Sequence, residues 1–311
     1  MNTENIRFIG TNGVKLPGII WTPIYKPCMV VQIVHGMTEN IGCYEKFAEL
    51  LTSCGIAVAG FDLRGHGQNK GDDECTSLGE KGWRNSLHDI YLFHWELNHR
   101  FPNIPLFMMG FSLGSFLVRD YLSRYSNRVS GAILMGTGSR PRMILSVRMA
   151  MVKKEIRKYG FNQSTPLVCK LALEIYNQKF SPNITPYDCF CSDKVQMHAY
   201  LADPMCCKSI SAGLLWELLD AMRRTGSVRT YKRWRKETPV LLLSGAEDLV
   251  GDFGKGIQRV MQNMVRGGLK DVRMQMIPNA RHDLLHEKQS GGCDEAINVL
   301  TDWLFEHIRF Q

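Results

Sequence analysis

Residues 105–114 read Pro105-Leu106-Phe107-Met108-Met109-Gly110-Phe111-Ser112-Leu113-Gly114. Residues 105–109 form a short apolar run of the kind that makes a strand buried on both faces, and residues 112–125 favour a helix. The Gly-x-Ser-x-Gly pattern therefore stands at a strand-to-helix junction. A serine on so sharp a turn holds a strained backbone, and only small residues two positions either side let strand and helix approach, which accounts for Gly110 and Gly114. The turn exposes the hydroxyl above the sheet, and the helix N-terminus behind it favours negative charge on a reacting oxygen.

Working outward, short apolar runs alternate with helix-period stretches. Residues 29–34, 56–61 and 129–135 read as strands, with helical spacing between them at Tyr44, Phe47 and Leu51 and at Leu87, Ile90 and Tyr91. Residues 6–23 contain the turn Thr11-Asn12-Gly13 between strand-like segments and read as a hairpin. After Gly136 the rhythm stops for about a hundred basic, Pro-interrupted residues. It resumes with strands over 239–244 and 272–277 and a closing amphipathic helix, for which Asp294 is the expected N-cap. The pattern is α/β: a mostly parallel sheet with helices on both faces, a core over 1–138 and 236–311, and an insertion over 139–235.

A serine hydroxyl needs a base, and the base needs a group that fixes its tautomer. On an elbow of this type the acid and the histidine follow the serine in that order, each on a loop after a strand. Asp248 follows strand 240–244, with Glu247 and Asp252 as competitors; His282 follows the strand ending at Ile277, with His286 as competitor. Distance from the strand end favours Asp248 and His282, and His286 is expected to pack or face solvent. The backbone N–H groups of Met37, after strand 29–34, and of Leu113, after the serine, are the expected oxyanion donors. In Asp62-Leu63-Arg64-Gly65-His66-Gly67 the glycines shape a turn that an Asp62–Arg64 pair is expected to hold, with His66 structural.

Taken together, Val34-His35-Gly36, Asp62 to Gly67, Gly110 to Gly114, Gly245-Ala246-Glu247-Asp248 and Arg281-His282-Asp283 resemble the monoacylglycerol lipase and lysophospholipase branch of the α/β-hydrolases. The resemblance implies the α/β-hydrolase fold, a helical cap inserted after the sixth strand, and a serine hydrolase that cleaves one acyl chain from a monoacyl lipid through an acyl-enzyme. Two positions depart from it: Phe111 stands where many relatives carry His, and Asn69 where many carry Ser. The first bears on a polar contact to glycerol and not on the chemistry at Ser112.

Composition narrows the partners. The chain has 311 residues, 44% apolar and 22% charged, an ordinary globular balance. No apolar run is long enough to span a bilayer and the N-terminus lacks a signal-like apolar stretch, so a cytoplasmic protein is expected. Ten cysteines without a Cys-x-x-Cys pair read as reduced thiols; no metal and no cofactor are expected, Cys189, Cys191, Cys206 and Cys207 lacking partners at zinc-site spacing. Residues 139–236 hold 18 Lys and Arg against 7 Asp and Glu. Such a cap is expected to guide an amphiphilic acyl ester, with a phosphate-bearing headgroup favoured, and to touch anionic membrane peripherally. A nucleic-acid partner is not expected, since no recognition motif accompanies the charge. The alternative activity is a serine aminopeptidase resembling proline iminopeptidases, ranked lower because the insertion is short of the acids that would hold a free amine; a non-catalytic binding protein ranks below both.

Overall fold

The computed structural model describes residues 1–71, 75–174, 177–180, 182, 185 and 187–308. Among the described residues ten strands form: β1 (Asn2–Ile9), β2 (Lys15–Thr22), β3 (Met29–Val34), β4 (Ile56–Phe61), β5 (Cys75–Thr76), β6 (Leu106–Phe111), β7 (Gly131–Met135), β8 (Ser209–Ile210), β9 (Val240–Gly245) and β10 (Val272–Ile277). Eight of them make one sheet in the order β1-β2-β4-β3-β6-β7-β9-β10. The expected hairpin is present, running from Asn2↔Thr22 to Ile9↔Lys15, and it joins the sheet antiparallel along β4. Every pair from β4 through β10 is parallel.

Strands β3, β4, β6, β7 and β9 are buried at every residue, because helices cover both faces. Leu106 and Met108 pack into the core layer shared with helices α2 (Gly82–Arg100) and α3 (Leu113–Tyr125). Phe107 and Met109 point the other way, into the layer that holds Phe47 and Leu51 of α1 (Glu45–Ser53) and Leu300, Trp303 and Leu304 of the closing helix Gly292–Ile308. Asp294 lies inside the first turn of that closing helix rather than at its cap. One turn earlier, the Ser290 hydroxyl accepts from the Gly292 N–H at 3.3 Å, and the helix starts three residues sooner than an N-cap at Asp294 suggests.

β7 is the sixth strand of the main sheet, and the chain leaves the sheet there. The insertion contains α4 (Arg142–Tyr159), α5 (Lys194–Ala202) and α6 (Ala212–Thr225), with shorter turns between them. α4 lies on α6 and α6 on α3, so part of the insertion is packed into the main core. A second, two-stranded sheet ties it further: β5 pairs with β8 through Cys75↔Ser209 and Thr76↔Ile210. Among the described residues no helix is long and apolar enough to cross a membrane.

Arg119 on α3 is fully buried and closes this assembly. Its Nη1 donates to Thr137 Oγ1 (3.1 Å) and Gly138 O (2.9 Å) where the insertion departs. Its Nη2 donates to Thr225 O (3.0 Å) and Tyr231 Oη (2.8 Å) where the insertion returns. Removing one buried partner leaves the others desolvated and unpaired. Arg119→Met is therefore expected to lower unfolding free energy by about 2–4 kcal/mol, measured by urea denaturation with an unchanged m value.

Candidate active site

Ser112 sits between β6 and α3 with φ 48° and ψ −115°, a region an L-residue seldom occupies. The glycines that permit it are under steric constraint. A Cβ on Gly114 would meet Val34 O at 1.9 Å, and one on Gly110 would meet Gly114 O at 2.6 Å. The backbone is thus over-determined by β3, β6 and α3 packing together.

The structure brings the three expected side chains into one hydrogen-bonded chain. His282 Nε2 is 2.9 Å from Ser112 Oγ, and His282 Nδ1 is 3.0 Å from Asp248 Oδ1. Asp248 is buried, with Oδ1 also accepting from the Val250 N–H (2.8 Å) and Oδ2 from the Ser244 hydroxyl (3.3 Å), so its orientation is held from three sides. Burial opposes protonation of His282, but the Asp248 carboxylate and its hydrogen bond override it, and the imidazole titrates above its usual range. The competitors are engaged elsewhere. Asp252 pairs with Arg140 (2.5 Å) and Arg259 (2.7 Å), and Glu247 lies 3.8 Å from Arg281.

Phe111 and Phe190 flank the His282 ring at centroid distances of 5.0 and 5.6 Å. These rings make the immediate surroundings of the histidine apolar, and Phe190 comes from the insertion. Met37 lies on the loop after β3, whose shape is set by buried His35: its Nε2 accepts from the Leu63 N–H at 2.9 Å, so its Nδ1 donates to Gly36 O at 2.8 Å. Burial lowers the His35 pKa to about 4, which keeps that neutral tautomer. Among the described residues, the N–H groups of Met37 and Leu113 meet no protein acceptor, as donors reserved for a substrate oxygen require.

His66 is buried and structural as expected, but Asp62 and Arg64 do not pair. Arg64 reaches Asp89 at 2.6 Å and Thr11 O at 2.6 Å, while Asp62 accepts from the N–H groups of Ile41 and Gln68, each at 2.9 Å. The turn is held by α2 and by neighbouring backbone, which sequence adjacency conceals.

A cavity of ≈ 240 Å³ opens over Ser112 and His282. The core contributes Met37, Phe111, Glu39, Glu45, Lys46 and Asp283, and the insertion contributes Phe190, Met197, Tyr200 and Asp203 among others. Two expectations fail here. Lys46 is the one Lys or Arg among the described lining residues, so the basic charge of residues 139–236 does not face the cavity. The cavity also holds carboxylates, mainly from the core, which the acid-poor composition of the insertion does not reveal. Asp283 and Asp203 are already engaged, while Glu45 is exposed at the rim: Asp283 accepts from His286 Nδ1 at 2.7 Å, and Asp203 accepts from Asn40 Nδ2 at 3.1 Å and the Met205 N–H at 2.8 Å. His286 accordingly lines the site instead of only facing solvent, and Asp283 raises its pKa to about 9.

Glu39 is buried behind this pair. One carboxylate oxygen accepts from Tyr44 Oη at 2.6 Å and from the Gly36 N–H. Burial, with Asp283 nearby, pushes its pKa up to about 7. A carboxyl whose folded pKa is raised binds its proton more tightly when folded, so folding stability falls as pH rises from the unfolded pKa through about 7. Glu39→Gln mimics the protonated acid. It is expected to match the wild type near pH 5 and to be more stable by on the order of 2–3 kcal/mol at pH 8, read from melting curves across that range.

Fold and site together define a serine hydrolase of the α/β-hydrolase class. The family profile Hydrolase_4, described as serine aminopeptidase S33, matches residues 25–289, and the chain belongs to that family. It is similar to the monoacylglycerol lipase of Mycolicibacterium smegmatis, 24% identical over 97% of this chain and 96% of that one. It is also similar to the monoglyceride lipase of Rattus norvegicus, 23% identical over 93% of this chain and 86% of that one. Among solved structures, a thermostable carboxyl esterase from Bacillus coagulans in complex with glycerol superposes with a TM-score of 0.89, at 24% identity and 99% coverage of both chains. A soluble variant of monoglyceride lipase from Saccharomyces cerevisiae, bound to a substrate analogue, gives 0.73 at 19% identity, covering 98% of this chain and 94% of that one.

Proposed function

We propose that the protein is a carboxylic ester hydrolase that removes the single acyl chain of a monoacyl lipid with a neutral, hydroxyl-bearing headgroup. The observation that carries this reading is the Ser112–His282–Asp248 chain under a part-apolar cavity in which Glu39, Asp203 and Asp283 are already hydrogen-bonded. Ser112 Oγ attacks the ester carbonyl while His282 Nε2 takes its proton, and Asp248 holds the imidazole and offsets its positive charge. The Met37 and Leu113 N–H groups receive the oxyanion. His282 returns the proton to the departing alkoxide, and water, activated by the same histidine, releases the fatty acid.

The names of the M. smegmatis and R. norvegicus relatives support a monoacylglycerol substrate. The cavity charge favours it over a lysophospholipid: Lys46 is the one lining Lys or Arg among the described residues, in a lining that also holds Glu45, Asp203 and Asp283. An aminopeptidase needs a carboxylate held beside the catalytic groups for the substrate amine, and here Asp283, which follows His282, is paired to His286. A rate panel is expected to rank monoacylglycerols above lysophospholipids and above an aminoacyl arylamide, with Ser112→Ala losing at least about 10⁴-fold and its fluorophosphonate labelling. Fastest turnover of the arylamide would overturn the reading.

The basic charge has another use in this reading, contact with an anionic lipid surface. On α4, Leu145, Met149 and Val152 are buried, while Met143, Ile144, Val147 and Met151 are exposed and share one opposite face. Lys154 and Lys158 fall on that same face by helical spacing. An apolar stripe flanked by lysines suits the headgroup boundary. Sedimentation with anionic phospholipid vesicles is expected to capture the protein at low salt, and Met143→Ser/Val147→Ser to reduce capture several-fold; equal capture of the double variant would refute the placement.

A further inference from the structure

Cys43, Cys206 and Asp203 meet at the rim of the cavity although 163 residues separate the two cysteines. Their sulfurs are 3.9 Å apart, and Cys206 Sγ lies 3.5 Å from Asp203 Oδ2. The three potential ligand atoms all fall within 4.8 Å of one another. Tetrahedral zinc, with Zn–S near 2.3 Å and Zn–O near 2.0 Å, places two sulfurs about 3.8 Å apart and a sulfur and an oxygen about 3.5 Å apart. We propose that Cys43, Cys206 and Asp203 form a binding site for a thiophilic divalent cation of the zinc class, with its fourth position open toward the cavity.

The surroundings are those of a supported ligand set. Asn40 Nδ2 donates to Asp203 Oδ2 at 3.1 Å and approaches Cys206 Sγ at 3.7 Å. The Asn40 carboxamide is itself fixed, its Oδ1 accepting from the Gly42 N–H at 2.9 Å. The Met205 N–H holds the other Asp203 oxygen at 2.8 Å, which leaves Oδ2 turned to the cysteines. Such outer partners orient ligands and set affinity. Cys43 and Asp203 are half-buried and Cys206 is buried, so an ion can enter from the cavity side.

The site spans two parts of the chain. Cys43 belongs to the turn that leads into α1, and Asp203 and Cys206 follow α5 of the insertion. The same two segments are joined by the Cys207 N–H to Thr38 O (2.9 Å) and by the Thr38 and Tyr200 hydroxyls (2.6 Å). Thr38 follows Met37, so a bound ion clamps the insertion to the loop that carries a proposed oxyanion donor. Metal binding displaces two thiol protons and adds its binding energy to the folded state.

The test is titration of the reduced, full-length protein with Co²⁺ as a spectroscopic substitute for zinc, followed by competition with Zn²⁺. The expected result is one equivalent bound, with a thiolate-to-cobalt charge-transfer band that is weakened in Cys43→Ser and in Cys206→Ser and lost in the double variant. Asn40→Ala is expected to reduce affinity about 10–100-fold while keeping the band, and Zn²⁺ to raise the Tm of the wild type but not of the double variant. Cooperative melting of the metal-free double variant verifies that it is folded. The assignment is overturned if the wild type shows no such band, or if the band and the Tm shift persist in the folded double variant.

Discussion

The approach of Gly114 to Val34 is the contact on which the rest of the molecule depends. It leaves no room for a side chain, and it presses the start of α3 against the end of β3 while β6 feeds directly into the turn. Ser112 is held at positive φ by that packing rather than by its own preference, so the conformational cost is met by the sheet and the helix layer. The same approach brings the loop after β3, with Met37, beside the nucleophile's turn. One close contact therefore sets both the serine and its expected oxyanion donors.

The histidine and the acid reach this point from the far side of the sheet. β9 and β10 lie side by side in parallel, so the loops at their C-terminal ends emerge together, and Asp248 and His282 come within 3.0 Å. Ligands bind at the carboxyl ends of strands in open α/β sheets because helix N-termini and loop backbone collect there. The burial of Asp248 and the two rings flanking His282 strengthen the charge interaction between them by removing water.

Electrostatics divides the molecule into two regions. The cavity rim combines carboxylates with His286 and Lys46, whereas α4 carries its lysines and arginines outward. The basic surface is thus separate from the cavity over Ser112. Arg119 joins the two by fastening both ends of the insertion to the helix behind Ser112.

What the sequence determined by itself was whatever short-range order encodes. The Gly110–Gly114 elbow, the alternation of apolar runs with helical stretches, the hairpin around Asn12 and the serine–acid–histidine order all follow from local sterics and chain order, and Ser112, Asp248 and His282 were legible for that reason. Position after the strand end favoured Asp248 over Asp252, and the fold supplies the reason: Arg140 and Arg259 occupy Asp252. Tertiary structure alone decided the pairs between distant segments. Arg64 turns to Asp89 on α2 and not to Asp62, His286 enters the cavity because Asp283 and Glu39 face it, and Cys43 meets Cys206 across 163 residues. Net charge is likewise a property of composition, but which surface presents it depends on helix rotation, and that placed the basic residues of the insertion away from the cavity. Packing, not spacing, selects these partners, because a buried polar group must find whichever neighbour the fold delivers.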